Sequence, residues 1–320
     1  MAKILISDGS ELKVTIQWES LDKLLMEKLQ QLGHEVVVEH YEPEVLKDQI
    51  KDFDAIIIGN TTIMDAEMID AAAETGKLKL IIKAGISLDN VDLAYAQSKG
   101  MIVKNTPECS RNAIAELIIG HMVSVSRFLF DAFITMKRNQ WEQSSYTGIE
   151  LTNRTLGLVG FDETARILAR KAAALGLTVQ YYDEKGPAEG YEDYQYMSFE
   201  DVLKSSTFLS LHVPYDPQKG YLFTEKELMS MEKGGNLINT SDGRLVDEQA
   251  LIKALGPSMA ELHLFGACLD VYEQEPTTNR ELLAHDRVSL TPHIGHETYE
   301  SNTQRIEEVV EIIKTQWVGA

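Results

Sequence analysis

The sequence predicts an α/β fold made of two doubly wound parallel sheets, each covered by helices. In residues 1–104, short apolar runs alternate with amphipathic stretches, as strands and helices do in such a sheet. Residues 154–183 form a strand–helix–strand unit that contains a glycine turn. Four strand-like runs are each followed closely by an aspartate or a histidine, and parallel strands bring such residues to one edge of their sheet.

The first 104 residues are predicted to alternate between strands and helices. The strands are short apolar runs, predicted at 3–7, 35–39, 55–59, 78–83 and 102–104. The helices have apolar residues at helical spacing and are predicted at about 20–32, 45–51, 65–73 and 91–98. This order of elements is typical of a parallel sheet whose faces are covered by the connecting helices.

The pattern changes at Asn105-Thr106-Pro107, because proline bars the residue before it from a helix. A helix is predicted at about 111–127, with one face made of Ile114, Leu117, Ile118, His121, Met122 and Val125. On this face His121 is interpreted as a histidine with satisfied hydrogen bonds at a packing interface. A second helix near 129–140 and a polar linker at 143–153 follow.

The unit 154–183 has the layout of a dinucleotide-binding motif. An apolar run from Leu156 ends at Gly160, a helix follows that ends near Gly176, and a second strand is closed by Asp183. In dinucleotide-binding proteins an acid at this place binds a ribose hydroxyl. The layout therefore predicts a dinucleotide cofactor.

The glycine turn of this unit departs from the usual fingerprint. Gly160 occupies the first glycine position and Ala165 is an accepted third residue, but Asp162 stands at the second. Asp162 and Glu163 lie at the helix N-terminus, which is the pole that a pyrophosphate uses. A like charge about 4 Å away costs roughly 4 kcal/mol at an effective dielectric near 20. The alternative is that Asp162 turns to solvent and Glu163 caps the helix.

The remainder of the chain continues the alternation. A surface loop is predicted at 184–196, short helices at 199–203 and 248–255, and strands at 208–213, 236–240, 266–270 and 288–293. The polar residues at or just past the strand ends are Asp183, His212, Asp270 and His293. Ligands of doubly wound sheets bind at this edge, so these residues are predicted to surround a ligand.

Composition bounds the class of protein. A chain of 320 residues is long enough for two domains, and its net charge of −20 argues against nucleic acid or an anionic membrane as partner. Cys109 and Cys268 are far apart and have no neighbours at metal-ligand spacing, so neither a disulfide nor a metal site is expected. The N-terminal apolar run is too short for a signal peptide, and no window approaches about 18 apolar residues. A cytoplasmic location is expected.

The motifs resemble those of the D-2-hydroxyacid dehydrogenase family, which includes phosphoglycerate dehydrogenase. The resemblance begins near residue 80 and rests on the segments 83–92, 105–107, 211–214, 270–276 and 291–295. It implies a flavodoxin-like substrate domain at 1–104 and 295–320 and a Rossmann dinucleotide-binding domain at 105–294. It also implies a homodimer, NAD as the cofactor, and a small 2-hydroxy or 2-oxo acid as the substrate.

The same resemblance assigns roles to single residues. His293 would exchange a proton with the substrate and Glu275 would hold its imidazole, while Asp270 would bind the nicotinamide amide and Asp183 the adenosine ribose. The backbone N–H groups of Gly85 and Ile86 would hold the substrate carboxylate. Further positions that correspond to cofactor contacts are Gly160, Asp162, Glu163, Thr164, His212, Pro214 and Ser241.

One catalytic position differs from the family. Asp242 stands where an arginine is expected to clamp the substrate carboxylate, and Arg244 follows two residues later. Ser87 replaces a glycine in the carboxylate loop. Two hypotheses result. The chain is an NAD-dependent oxidoreductase of 2-hydroxy acids, or it is a family homologue with lost or altered catalysis, which binds a different ligand or regulates, because of Asp162, Glu163 and Asp242.

Overall fold

The computed structural model describes residues 1–7 and 21–317 of the 320-residue chain. Residue 20, where the first helix is predicted to begin, and the last three residues of the predicted range 295–320 lie outside the described residues. The chain divides into two units, Met1–Ser110 with His296–Ala320, and Arg111–Gly295. The assignment of a substrate role to one part and a dinucleotide role to the other stays a prediction.

The strands are short. Every predicted strand is present, and each of these begins or ends within two residues of the corresponding end of its predicted run. They are β1 (Lys3–Ile6), β2 (Glu35–Val38), β3 (Ala55–Ile58), β4 (Leu80–Lys83), β5 (Ile102–Asn105), β6 (Thr155–Val159), β7 (Thr178–Tyr182), β8 (Gln195–Tyr196), β9 (Phe208–Leu211), β10 (Asn236–Asn239), β11 (Gly266–Leu269) and β12 (Val288–Leu290).

The helices connect these strands and cover the sheets. They are α1 (Leu21–Gln31), α2 (Pro43–Gln49), α3 (Ala66–Ala73), α4 (Leu93–Ser98), α5 (Arg111–Arg127), α6 (Leu129–Lys137), α7 (Glu163–Ala174), α8 (Phe199–Ser205), α9 (Glu225–Ser230), α10 (Glu248–Leu255), α11 (Arg280–Leu283) and α12 (Tyr299–Trp317). Short 3₁₀ turns lie at Ile50–Asp52, Gln143–Tyr146 and Gly243–Leu245.

The first unit contains a parallel sheet with the strand order β2-β1-β3-β4-β5. This is the flavodoxin-like order 2-1-3-4-5. Alternate residues of its strands enter different cores: Ile57 packs in a cluster with residues of α1 and α12, whereas its neighbour Ile56 packs in a cluster with residues of α3 and α4. The sheet is therefore buried on both faces, as a parallel sheet requires.

The second unit contains a parallel sheet with the strand order β12-β11-β10-β9-β6-β7-β8. Counted from β6, the order of its central strands is the Rossmann order 3-2-1-4-5-6, extended by one strand. Successive strands are added on one side of β6 as far as β8 and on its other side from β9 onwards, so the strand order reverses between β6 and β9. The predicted fold class, with a flavodoxin-like and a Rossmann sheet, is confirmed.

Several elements differ from the sequence-based expectation. The bounds of α5 and α10 agree with the predicted 111–127 and 248–255, but α9, α11 and α12 were not predicted. The predicted surface loop 184–196 is wrong in part, because it ends in β8 and because Tyr191 and Tyr194 pack against the core. Tyr191 meets the ring of Phe161 edge-on, with 5.2 Å between ring centroids. The segment is held in place by the burial of its aromatic rings, and its sequence has no hydrophobic periodicity that predicts this.

No single helix in the ranges 1–7 and 21–317 is both long and apolar enough to cross a membrane. The pair α5 and α6, which is bent by 67°, reaches the required length and apolarity only when both helices are taken together.

Candidate active site

His293 and Glu275 form a charge-assisted pair in the second unit. The ring nitrogen Nδ1 of His293 lies 2.7 Å from Oε2 of Glu275, and 48% of the histidine side chain is exposed. A carboxylate can only accept a hydrogen bond, so Nδ1 carries a proton and Nε2 is the nitrogen that exchanges one. The geometry is that of a general acid–base whose ring is held by a carboxylate.

The carboxylate of Glu275 is held on its other side by the backbone. Its Oε1 accepts a hydrogen bond from the N–H of Tyr272 at 3.1 Å. The backbone of Tyr272 in turn lies against Gly243, where an added Cβ would be only 2.0 Å from the tyrosine carbonyl carbon. Glycine is therefore required at 243, and the turn around it supports the segment that orients His293.

Asp242 and Arg244 neutralise each other within this turn. The guanidinium donates from Nε to Oδ1 at 3.0 Å and from Nη2 to Oδ2 at 2.6 Å, which is a bidentate ion pair. The guanidinium carbon also lies 4.5 Å from the ring centroid of Tyr215. A cation thus occupies the turn in which the family arginine is expected, but Asp242 compensates its charge.

Asp270 is buried and holds the backbone that follows His293. Only 1% of the residue is exposed. Its Oδ1 accepts from the N–H of Ile294 and its Oδ2 from the N–H of Gly295, both at 2.8 Å. His293 has a φ of 54°, a left-handed conformation that costs a non-glycine residue about 1 kcal/mol and must be imposed by its surroundings. The predicted contact of Asp270 with the nicotinamide amide stays a prediction.

The glycine turn after β6 lies where the strand order reverses. Gly160 has a φ of 89°, and a Cβ at this position would lie 2.3 Å from the carbonyl oxygen of His212, so no other residue fits. The carboxylate of Asp183 accepts from the N–H of Phe161 at 2.8 Å, which brings the acid of β7 to the turn. These positions agree with the arrangement by which a Rossmann sheet holds a dinucleotide.

The N-terminus of α7 is capped by Asp162. Its Oδ1 accepts from the N–H of Ala165 at 2.8 Å, and 55% of the side chain is exposed. Glu163 instead pairs with Arg166 at 3.3 Å. The alternative in which Glu163 caps the helix is therefore wrong. This hydrogen bond uses one of the backbone N–H groups at which a helix N-terminus binds a pyrophosphate. The carboxylate of Asp162 still occupies the position of the second glycine in the fingerprint.

The other predicted cofactor residues lie on the loops beside this turn. His212 is buried and is hydrogen-bonded through Nε2 to Ser210 at 2.9 Å. Burial lowers the pKa of His212, although Asp162 opposes the shift, so the ring does not neutralise that carboxylate. Ser241 donates its hydroxyl to the carbonyl of Val213 at 2.8 Å, which joins the loop after β10 to the loop after β9. Thr164 is buried and Pro214 is exposed.

The predicted carboxylate loop lies in the first unit. The N–H of Gly85 donates to the carbonyl of Lys83 at 2.9 Å, and the carbonyl of Ile86 accepts from Nδ2 of Asn105 at 2.6 Å. The donor of Gly85 is thus used within its own turn. The role of Gly85 and Ile86 in holding a substrate carboxylate stays a prediction.

Residues 119–295 match the family model of the D-isomer specific 2-hydroxyacid dehydrogenase, NAD binding domain. The chain belongs to this family. It is 35% identical over 282 residues to a hydroxypyruvate reductase of Thermotoga maritima, covering 87% of this chain and 90% of that protein. The predicted resemblance is confirmed, and the chain is an NAD-dependent oxidoreductase of the 2-hydroxyacid dehydrogenase type.

Two further relatives agree in sequence or in fold. A D-3-phosphoglycerate dehydrogenase of Methanocaldococcus jannaschii is 32% identical over 317 residues, which cover 98% of this chain and 57% of that protein. The solved D-lactate dehydrogenase of Aquifex aeolicus, complexed with NAD and lactic acid, superposes with a TM-score of 0.83 and is 26% identical. That comparison covers 99% of this chain and 96% of the solved one.

Three features of the site were not found from the sequence. They are the pairing of Asp242 with Arg244, the close contact of Gly243 with Tyr272, and the partners of His121, whose satisfied hydrogen bonds were predicted and are confirmed. The spacing of Asp242 and Arg244 could have indicated the first, because an aspartate often accepts from the backbone N–H two residues on. The other two join residues far apart in sequence and have no local signal.

Proposed function

We propose that this dehydrogenase transfers a hydride between NAD and a small 2-hydroxy or 2-oxo acid, with His293 as the proton donor and acceptor. The observation that carries the proposal is the hydrogen bond between His293 and Glu275 at 2.7 Å, in a unit that belongs to an NAD-binding family. Gly160 and Asp183 are proposed to hold the cofactor beside the N-terminus of α7. When bound, NAD supplies the site that gives or takes the hydride.

The proton is exchanged at Nε2 of His293. In the reducing direction the imidazolium gives this proton to the carbonyl oxygen of the 2-oxo acid, and in the oxidising direction the neutral ring accepts it from the hydroxyl. Glu275 stabilises the imidazolium and keeps the ring orientation through Nδ1. Tyr272 fixes Glu275 through its backbone N–H, so the donor is positioned by the fold and not only by side-chain contacts.

The substrate carboxylate is proposed to meet a weaker cation than is usual in the family. Arg244 is the guanidinium of the turn, and Asp242 binds two of its nitrogens. An anion that approaches this pair meets little net charge, so the affinity for a carboxylate is expected to be lower than with an unpaired arginine. The predicted backbone donor that remains for the substrate carboxylate is the N–H of Ile86, since the N–H of Gly85 donates to the carbonyl of Lys83.

The proposed reaction is tested with NADH and a panel of 2-oxo acids of increasing length. We expect saturable oxidation of NADH with one member of the panel, and a loss of at least about a hundredfold in kcat for His293→Asn. Glu275→Gln is expected to retain some activity, since the amide oxygen still accepts from Nδ1. NADH that does not bind at millimolar concentration, or activity that survives His293→Asn, would contradict the proposal.

A homodimer through the second unit is part of the proposal. Helix α6 carries apolar side chains on the surface and has no buried residue. The most exposed of them are Leu129, Phe130, Phe133, Ile134 and Met136. Such a patch is typical of a face that a second copy covers. Light scattering is expected to give twice the chain mass for the wild type, and Phe133→Glu is expected to give the monomer.

A cytoplasmic location is also proposed. Both cysteines, Cys109 and Cys268, are buried and unbridged, which suits a reducing compartment. Fractionation of the source cells with an antibody against the chain tests this directly.

A further inference from the structure

A buried chain of polar side chains lies beneath the segment that carries His293. His121 projects from α5, and 2% of the residue is exposed. Its Nδ1 lies 2.8 Å from the hydroxyl of Ser289, and its Nε2 lies 3.1 Å from the hydroxyl of Thr291. Thr291 donates to Oδ1 of Asp270 at 2.6 Å. Each hydroxyl can donate or accept, so the protonation state of the ring depends on where the hydroxyl protons point.

The direction of each hydrogen bond in this chain follows from the number of protons. A threonine hydroxyl has one proton, and Thr291 uses it on Asp270, so its oxygen accepts from Nε2 of His121. A neutral imidazole with its proton on Nε2 accepts at Nδ1, and Ser289 is the donor there. The bonds therefore run in one direction, from Ser289 through His121 and Thr291 to Asp270.

The surroundings of His121 favour this neutral ring. Burial lowers the pKa of His121, and the nearby charge of Asp270 opposes the shift only in part. From the adjacent strand β11, the thiol of Cys268 donates to the backbone carbonyl of His121 at 3.6 Å. Burial also raises the pKa of this thiol, so it stays protonated.

Asp270 connects this chain of hydrogen bonds to the proposed proton donor. The carboxylate that receives the hydroxyl of Thr291 also holds the N–H groups of Ile294 and Gly295. His293 lies between Thr291 and Ile294, with the left-handed φ of 54°. The hydroxyl of Tyr272 donates to the carbonyl of Thr291 at 2.8 Å, which fixes the same turn from the other side. The backbone of His293 is thus held at both ends.

From this geometry we infer that His121 is a positioning residue for the dehydrogenase reaction, acting through Thr291 and Asp270 on the turn that carries His293. The inference rests on the proposed role of His293. His121 directs the single proton of Thr291 towards Asp270. Without the N–H of His121, this hydroxyl is able to rotate away from Asp270. One of the three hydrogen bonds that compensate the charge of the buried carboxylate is then weakened, and its hold on Ile294 and Gly295 changes.

The kinetic test compares three variants in the NADH-dependent reduction of a 2-oxo acid. His121→Leu removes both ring nitrogens, and His121→Gln keeps a donor and an acceptor at the end of the side chain. Met122→Leu is the matched control, because Met122 is a fully buried neighbour on α5 outside the hydrogen-bond chain. We expect kcat to fall about ten- to a hundredfold in His121→Leu, with the KM for the 2-oxo acid nearly unchanged.

The pattern across the variants decides the outcome. His121→Gln is expected to recover most of kcat, and the pH dependence of kcat is expected to shift in His121→Leu but not in Met122→Leu. Thr291→Val added to His121→Leu is expected to cause little further loss, since both variants break the same chain. If folded His121→Leu keeps the wild-type kcat and pH profile, or if Met122→Leu loses as much, the inference is wrong.

A second readout does not depend on turnover. The ¹⁵N shifts of the imidazole rings in the cofactor-free protein are expected to show His121 with a proton on Nε2 alone, and to show a changed titration of His293 in His121→Leu. A proton on Nδ1 of His121, or an unchanged titration of His293, overturns the inference. If the tautomer is as expected but the wild type does not oxidise NADH, the proposed function is wrong, and the positioning role of His121 in that reaction is wrong with it.

Discussion

Asp242 stands at the position where an arginine is expected in the family. The side chain of Arg244, two residues later, determines how this carboxylate affects an approaching anion. Arg244 binds both oxygens of Asp242, so the turn contains a nearly neutral pair instead of a lone acid. The departure therefore weakens an attraction for anions, but it does not create a strong repulsion. At this scale the lost-function hypothesis loses one of its main supports.

Releasing Arg244 should strengthen binding of the 2-oxo acid. Asp242→Asn keeps the shape of the side chain and removes its charge. We expect the KM for the 2-oxo acid to fall about two- to fivefold, which is the range for a partly exposed charge pair. Steady-state kinetics measure this change, and Glu200→Gln, which removes an exposed charge on α8, serves as the control. An increased KM in Asp242→Asn would show that the ion pair positions the guanidinium.

Removing the charge of Asp162 should strengthen binding of NADH. Asn caps a helix about as well as Asp, so Asp162→Asn should leave the melting temperature nearly unchanged. We expect the Kd for NADH to fall about tenfold, which is less than the roughly 4 kcal/mol of an unscreened like charge, because 55% of the Asp162 side chain is exposed to solvent. Fluorescence titration measures the Kd, and Glu192→Gln on the surface loop is the control. An unchanged Kd would show that Asp162 points away from the bound cofactor.

At the scale of elements, close packing between turns and a backbone hydrogen bond together support the site. The 3₁₀ turn Gly243–Leu245 lies against the backbone of Tyr272, which orients Glu275 and through it His293. Chain segments from β10, β11 and β12 thus meet at the carboxyl edge of one sheet. Each segment is short, so its position is set by its neighbours.

Gly243→Ala should damage both stability and activity. The added methyl group would lie 2.0 Å from backbone atoms of Tyr272, and backbone cannot rotate away as a flexible side chain can. We expect a loss of about 1–3 kcal/mol in the free energy of unfolding and a clear fall in kcat. Chemical denaturation and kinetics measure the two effects. Gly120→Ala on α5 is the control, because nothing lies within 4 Å of its added Cβ and alanine favours a helix.

The helix α12 was not predicted from the sequence, although it has a clear helical pattern. Its buried residues Ile306, Val309, Val310 and Ile313 recur at helical spacing, and this periodicity is sufficient to predict a helix. The helices α9 and α11 are different. They span only Glu225–Ser230 and Arg280–Leu283, and such short segments contain too few turns for a periodic signal.

At the scale of the whole molecule, the net charge of −20 acts on every anion that approaches. NADH carries two negative charges, so the field of the protein opposes its binding at low ionic strength. We expect the Kd for NADH to fall as salt rises from about 10 to 150 mM, because screening shortens the range of this repulsion. Titration at constant pH measures the trend. A Kd that rises with salt would show that local cations dominate the cofactor site.

Buried histidines should make the molecule less stable in mild acid. Burial lowers the pKa of the buried His121 and His212 and of the half-buried His285 below 6.5 in the folded chain. The unfolded chain then binds more protons just below pH 6.5, so these groups destabilise the fold as the pH decreases through that region and do not above it. Chemical denaturation at pH 7.5 and 5.5 measures the slope. His121→Gln and His285→Gln should each reduce it, and an unchanged slope would contradict this account.

Local chemistry along the chain was sufficient for the class of fold and for the pairing of His293 with Glu275. Alternating apolar runs identify a parallel sheet, and a glycine before a helix identifies the turn at Gly160, because both depend on neighbours within a few residues. The family motifs located His293 and Glu275 as a pair for the same reason. Each of these features is carried by a short segment.

Only the tertiary structure decided how these side chains are oriented and which partners neutralise their charges. His121 and Thr291 are 170 residues apart in sequence, and Gly243 meets Tyr272 only because β10 and β11 are neighbours in the sheet. Whether an acid is buried and bonded, as Asp270 is, or exposed, as Asp162 is, depends on which segments the sheet brings to its edge. The burial and the hydrogen bonds of each side chain depend on the folded structure, because segments that are distant in sequence supply its partners.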